Sequence, residues 1–399
     1  MISWPLSRRS SFDQLLRIIS FRLLEYSIFL IPAFFLINRA WTNSLLSCWI
    51  PFFYLIYCIV HAKMPLRLLW NGPALWCLIL LWVPSIVTLG FSEAWREGRL
   101  YLWGIVTMCA AHQVQLDHKS FIHYFSMFLV LLGGLCGLDA VLQAFFKIDI
   151  LGHHIESQRL VAFFSNPNYL GFFLAGIVPL SLLAIFKSDN LWQSMGFMGL
   201  SCLIFAGLFL SGTRSAWIAM AVSLFTVLPV FFKKNRRIFW VNIIVIFSCA
   251  ILLAYLSSAS MLMKRIFYFI NYGDSRLKLW KDALEVIAMV PCFGLGIGNW
   301  VLGINGVSSF AHNFFLEIAM ECGIPALILF LYMCVRIVMY LYNSLHRDDC
   351  GRFFMAAILA FLIASSVTIP FFSRYTITVL FPFLGLVLGY CDTVMSSDA

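Results

Sequence analysis

The sequence predicts an all-α integral membrane protein, a polytopic helical bundle of about twelve transmembrane helices. Three observations carry this. Of 399 residues, 62% are hydrophobic and only 11% charged, where soluble domains carry about a quarter charged residues. The apolar residues fall in runs long enough to cross a hydrocarbon core, which takes about 20 residues in a helix. Those runs also lack the strict apolar–polar alternation of barrel strands. Helices, which satisfy their own backbone groups, are therefore the spanning element.

Read from the N-terminus, the runs between polar breaks predict spans at roughly 21–37, 44–61, 73–90, 99–115, 120–146, 168–187, 191–210, 215–232, 237–257, 312–343, 352–371 and 375–391. The first lacks a small-residue cleavage site and reads as a retained helix. Lysine and arginine in short connections set the orientation. Arg8, Arg9, Arg17 and Arg22 precede or open span 1, Lys63 and Arg67 follow span 2, and Lys233, Lys234, Arg236 and Arg237 follow span 8. All share one side if the N-terminus is cytoplasmic, and an even span count returns the C-terminus there. The segment 257–311 is then a long outward, periplasmic loop. The chain reads as a single membrane domain, 1–399, with that loop inside it and no internal repeat.

These flanks account for the net charge of +9. The basic residues are scattered rather than gathered in one stripe, so nucleic acid is not an expected partner. Most of the twelve cysteines, such as Cys58, Cys109 and Cys136, lie inside apolar runs as small hydrophobes. No C-x-x-C or Cys/His spacing suggests zinc.

Function is expected in the outward connections. One runs from about Lys147 to Asn168, in KIDILGHHIESQRLVAFFSNPN. His153 and His154 there are adjacent, hence on opposite sides of a regular element and poor as a metal pair. Asn166 and Pro167 read as the cap and first residue of the next helix, with a polar-ligand contact as the secondary reading of Asn166 and Asn168. The short SGTRSAW, residues 211–217, holds Arg214 between two spans. A guanidinium beside exposed N–H groups at a helix start suits a phosphate; the alternative is a snorkelling side chain that sets span depth.

In the long loop, DSRLKLWKDALEVI (Asp274 to Ile287) reads as an amphipathic helix with Leu277, Trp280, Leu284 and Ile287 on one apolar face lying on the outer leaflet. Asp274 or Ser275 can cap it, and Arg276 opens it, either as an anion ligand or as part of a solvated face. Pro291 ends it, and GLGIGNW (Gly294 to Trp300) follows as a flexible turn. Next comes His312, at the mouth of span 10 beside Asn313. Its imidazole can exchange a proton near neutral pH, or it is an ordinary interfacial polar residue. Glu317 and Glu321 follow inside an apolar helix, where carboxylates face a cavity or pair with a partner such as an arginine. No D-x-D or D-x-x-D cluster appears in an outward loop, so neither a metal nor another cofactor is expected.

In this order, NPNYLG, SGTRSAW, DSRLKLW, GLGIGNW and HNFFLEIAMECGIPAL resemble the O-antigen ligase and polymerase superfamily of bacterial envelope proteins. The likeness runs from about Phe163 to Leu327, with a weaker echo at GLDAVLQ (Gly137 to Gln143). The resemblance implies a fold like the C-type membrane glycosyltransferases in a bacterial inner membrane. It further implies metal-independent transfer of a glycan from undecaprenyl diphosphate to an acceptor hydroxyl at the periplasmic face. The acceptor in the ligases is the lipid A–core oligosaccharide. The family's functional residues fall on Arg214, Arg276 and His312. Substrate contacts are expected from Asn166, Asn168, Asn313, Glu317 and Trp280. The single long outer loop favours ligase over polymerase, and the chain's end soon after its last span disfavours a protein O-oligosaccharyltransferase. A transporter or flippase would call for internal repeats and helices broken at the midplane.

Overall fold

The computed structural model describes residues 11–37, 39–63, 82–152, 160–234, 276–299, 302–304, 307–309, 311–346, 348–368 and 374–397, with 244, 248 and 252. The expected span at 237–257 (apart from residues 244, 248 and 252), the first half of that at 73–90 and the opening of the outward loop lie outside these residues.

The chain is helical. Its elements are α1 (Ser11–Ile37), α2 (Thr42–Val60, through a π-helical turn at Leu45–Trp49), α3 (Phe91–Asp117), α4 (Phe121–Phe146), α5 (Pro167–Phe186), α6 (Leu191–Leu210) and α7 (Arg214–Lys234). Then come α8 (Arg276–Met289), a hairpin of β1 (Leu302–Ile304) and β2 (Val307–Ser309), α9 (Phe314–Cys322), α10 (Ile324–Leu345), α11 (Asp349–Thr368) and α12 (Arg374–Ser397). The two strands pair antiparallel, Gly303 opposite Ser308. A helical segment at 82–89 precedes α3. Eight described helices are long and apolar enough to cross a membrane: α1, α2, α4, α5, α6, α10, α11 and α12. α3 covers the expected span at 99–115, and α7 covers that at 215–232.

One expected span differs. The run 312–343 is two helices, α9 and α10, broken at Gly323. Gly323 has a φ of +88°, and a Cβ there would lie 2.3 Å from the Cys292 carbonyl oxygen. Hydropathy cannot register a left-handed glycine, so the run looked continuous. α9, nine residues long, rises only about 13 Å and is too short to cross.

α5 is the central helix, buried from Leu170 to Ile185 and packed against α4, α6, α7 and α11. Aromatic pairs set the direction of α11. Phe172 meets Phe361 and Phe186 meets Phe353, so the two helices are antiparallel. α4 and α6 approach backbone to backbone, since a Cβ on Gly137 would lie 2.2 Å from the Leu203 oxygen.

Side-chain contacts sort the connections to two ends. At one end, Lys63 Nζ meets Asp117 Oδ1 at 2.6 Å, His112 Nε2 meets Asp392 Oδ2 at 2.9 Å, and the Tyr390 hydroxyl donates to Asp348 at 2.9 Å. His118 pairs with Glu25, and Tyr340 donates to Asp392. The start of α1 and the end of α12 both lie in this belt. The connections before α5, between α6 and α7, and before α9 all lie at the opposite end, where Phe35 of α1 meets Phe164.

The α4–α6 contact yields a paired test. Gly137→Ala should destabilise the protein by about 3 kcal/mol, because a backbone oxygen cannot step aside. Gly196→Ala, with nothing within 4 Å of the added carbon, should be neutral or stabilise by up to ~1 kcal/mol. Thermal unfolding midpoints in detergent separate the two.

Candidate functional site

Arg214 is the first residue of α7 and is exposed at its N-terminus. The turn ahead of it is pinned from both sides. Ser211 Oγ donates to the Leu208 oxygen at 2.8 Å and accepts from Thr213 N at 3.2 Å. Thr213 Oγ1 donates to the Pro167 carbonyl at 3.1 Å and reaches Asn168 Oδ1 at 3.5 Å. Gly171 permits this approach, because a Cβ there would sit 2.6 Å from Thr213 Cβ. Asn166 caps α5 by accepting from Asn168 N at 2.9 Å, with Pro167 next. The structure thus joins the NPN and GTR motifs into one unit.

Two residues of the GLDAVLQ run, to which no role was assigned from sequence, hold the loop before this unit. Gln143 Oε1 accepts from Val161 N and Ala162 N at 3.3 and 3.2 Å. Asp139 accepts from Ile150 N at 2.6 Å and from Gln143 Nε2 at 3.0 Å. Their spacing of i, i+4 inside an otherwise apolar helix was the available signal. Polar groups buried in such a helix need partners, and here the partners are the broken backbone of the following loop.

A second unit surrounds His312. α8 opens at Arg276, as expected from sequence; its side chain lies outside the described residues. The expected apolar face of α8 is corrected. Leu279, Ala283 and Ile287 are buried against Ala311, Ala319 and Met320, whereas Leu277 and Leu284 are 63% and 57% exposed. α8 carries two apolar stripes: of the expected face only Ile287 is buried against α9, together with Leu279 and Ala283, which that face left out. Trp280 lies between them, and its Nε1 donates to the Ala311 carbonyl at 2.9 Å.

His312 is half-buried and has a φ of +52°. A left-handed backbone costs a side-chain-bearing residue about 1–2 kcal/mol, so something must hold it there. Asn313 caps α9, its Oδ1 accepting from Phe315 N at 3.0 Å and Leu316 N at 3.3 Å. The Glu317 carboxyl accepts from the His312 backbone N–H. Glu317 is 6% exposed, and its Oε1 finds no partner among the described residues. Burial pushes this carboxyl up to about 7, and the His312 N–H pulls the other way.

Residues 294–299 of GLGIGNW, expected as a flexible turn, are instead a fixed strap. Leu295 N donates to Met320 O and Gly296 N to Glu321 O, both at 2.8 Å, and Ile324 N donates to Pro291 O at 2.8 Å. Ile297 N donates to Ser85 Oγ at 3.1 Å. Gly294, at a φ of +67°, is required because a Cβ would lie 2.4 Å from the Glu321 carbonyl carbon. The strap closes the C-terminal end of α9 and ties it to the 82–89 helix.

The structure therefore groups Asn166 and Asn168 with Arg214, and Trp280, Asn313 and Glu317 with His312. α11 packs against α5, α7 and α9 and is common to both groups. Among the described residues, no three His, Cys, Asp or Glu side chains gather as a metal ion would need.

A polytopic helical membrane protein with its irregular polar connections at one end is the class that this geometry defines. Residues 199–331 match the sequence model of a family described as O-antigen ligase, a stretch that contains Arg214, Arg276 and His312. A ComP-specific O-oligosaccharyltransferase of Acinetobacter baylyi is 29% identical over 252 residues, 59% of this chain and 44% of that protein. The chain thus aligns with less than half the length of that curated relative. Over residues 199–331 the chain is therefore similar to the O-antigen ligase family, in a stretch that carries most of the ordered motifs.

Glu317 generates a prediction with a definite sign. Its folded-state pKa lies above its ordinary value of 4.5, so folding favours the protonated carboxyl. The stability it contributes is full below pH 4.5 and is lost as pH rises through about 7. The unfolding midpoint should fall over that window, and Glu317→Gln should flatten the fall. A scan by differential fluorimetry tests it; an unchanged slope in the variant would refute it.

Proposed function

We propose that this protein transfers a glycan from undecaprenyl diphosphate to an acceptor hydroxyl of the lipid A–core oligosaccharide, at the periplasmic face of the bacterial inner membrane. The observation that carries this reading is the coincidence of the family match with the motif-bearing end of the bundle. The matched stretch 199–331 holds all three residues named from the motifs, and the helices that Arg214 and Asn313 open start at that end. The charged belt at the opposite end, with the start of α1 and the end of α12, supports a cytoplasmic placement for that end.

The chemistry follows from the donor. The acceptor oxygen attacks the anomeric carbon, the bond from that carbon to the phosphate oxygen breaks, and the lipid diphosphate leaves with the electron pair. Arg214 and Arg276 hold the diphosphate, and their guanidiniums offset the charge that develops in the transition state. His312 takes the acceptor proton or hydrogen-bonds the phosphate. Asn166 and Asn168 beside Arg214, and Asn313 beside His312, are polar groups available to the glycan. Two guanidiniums supply the charge that a divalent cation supplies elsewhere, so the reaction is proposed to be metal-independent.

A second reading takes support from the similarity to the O-oligosaccharyltransferase. An O-oligosaccharyltransferase delivers the same donor glycan to a protein hydroxyl, and the chemistry at His312 is unchanged.

Purified protein, undecaprenyl-linked glycan and three acceptors (lipid A–core, a second lipid-linked glycan, and a serine-containing protein) separate ligase, polymerase and protein transferase. Lipid A–core glycosylation is the expected outcome. Arg214→Ala, Arg276→Ala and His312→Ala should each cut transfer by at least about 100-fold while the protein still inserts. Transfer at the wild-type rate by Arg276→Ala would refute the diphosphate clamp. EDTA should leave the rate intact; strong inhibition would overturn the metal-free reaction.

A further inference from the structure

One peptide unit in this structure is held at both of its polar atoms. The carbonyl of Ala311 accepts from Trp280 Nε1 at 2.9 Å. The N–H on the other side of the same peptide bond, that of His312, donates to Glu317. The two holders come from different elements, α8 and α9. Immediately after this peptide, His312 adopts its φ of +52°, and Asn313 is fixed by capping α9. The orientation of the His312 side chain is therefore set by backbone restraints on either side of its Cα.

We propose that Trp280 and Glu317 are positioning residues, a two-point clamp on the Ala311–His312 peptide that holds His312 in its left-handed turn and so aims the imidazole. This differs from the expectation that both side chains touch substrate. The indole N–H is already committed to Ala311, and one Glu317 oxygen is committed to His312. Both side chains sit largely under the loop, Glu317 buried and Trp280 half-buried. Burial also explains why a carboxyl serves here: a neutral Glu317 still offers an oxygen to the N–H, so the clamp holds in either protonation state. The strap from Gly294 to Ile297 completes the frame by fixing the far end of α9.

The catalytic part of this inference rests on the proposed transfer reaction, so its test carries a readout that does not. The full chain is purified in detergent, with folding checked by size exclusion and thermal unfolding. Modification of His312 by diethyl pyrocarbonate is followed on the peptide that carries it. Transfer from undecaprenyl-diphosphate-linked glycan to lipid A–core is measured in parallel. Glu317→Leu and Trp280→Phe should each lower kcat by about 10- to 100-fold, the scale of a misaimed group, with KM changed by less than about twofold. Each should also change the His312 modification rate by at least about threefold. Glu317→Gln retains an acceptor oxygen and should stay within about threefold of wild type in both readouts. Wild-type kcat and modification rate in the Leu and Phe variants would overturn the clamp, as would a Gln variant as impaired as the Leu variant. Should Glu317→Leu fail to fold, Trp280→Phe and Glu317→Gln carry the same two outcomes. A wild-type chain that transfers nothing while Glu317→Leu still alters His312 modification would sink the functional reading and support the clamp.

Discussion

A backbone that crosses hydrocarbon cannot leave an N–H or C=O unpaired, and every irregular feature at the motif end answers to that constraint. Where α4 stops and the chain wanders before α5, Gln143 and Asp139 take up three of the loop's N–H groups. Where α6 turns into α7, Ser211 and Thr213 supply the partners. Where the outward loop enters α9, Asn313 caps the helix and Trp280 takes the Ala311 carbonyl. The polar side chains that repair the backbone are thus concentrated where Arg214, Arg276 and His312 enter the bundle. The concentration of polar side chains at this end is a consequence of breaking helices there.

The spans that were legible in the sequence are those whose burial follows from composition alone. The expected spans at 120–146, 168–187 and 191–210 agree with α4, α5 and α6 to within a residue or so at each end, because lipid or protein surrounds them and only length and polar breaks matter. The Asn166–Pro167 helix start was legible for a similar reason, since its bond closes within two residues. Local chemistry of this kind is written locally.

What was not legible depends on a partner distant in sequence. α8 presents Leu277 and Leu284 at a spacing of seven, and Leu279, Ala283 and Ile287 on another stripe. Periodicity marks both as apolar, and only α9 decides which is buried. The glycines of the 294–298 strap signal freedom when read alone. Gly294 lets the strap lie against Glu321, more than twenty residues later, and Gly296 lets it lie against Thr88 and Leu89, some two hundred residues earlier. The tryptophan of α8 looked like part of an apolar face, and its N–H reaches 31 residues along the chain to Ala311. In each case the residue type was visible and its partner was not.

The energetics of His312 show why these distant partners matter to chemistry. Holding a histidine in a left-handed conformation costs about 1–2 kcal/mol, and glycine would occupy the same position at little cost. A net hydrogen bond in a protein contributes about 0.5–1.5 kcal/mol. Two such bonds on one peptide, from Trp280 and Glu317, together match the strain, and neither alone exceeds it comfortably. On the proposed clamp, loss of either holder weakens the turn. A glycine there would relax the backbone and remove the imidazole with it. Strain of this size persists where surrounding structure over-determines it, and at His312 the surrounding structure consists of an indole, a buried carboxyl and a helix cap converging on three consecutive residues, Ala311 to Asn313.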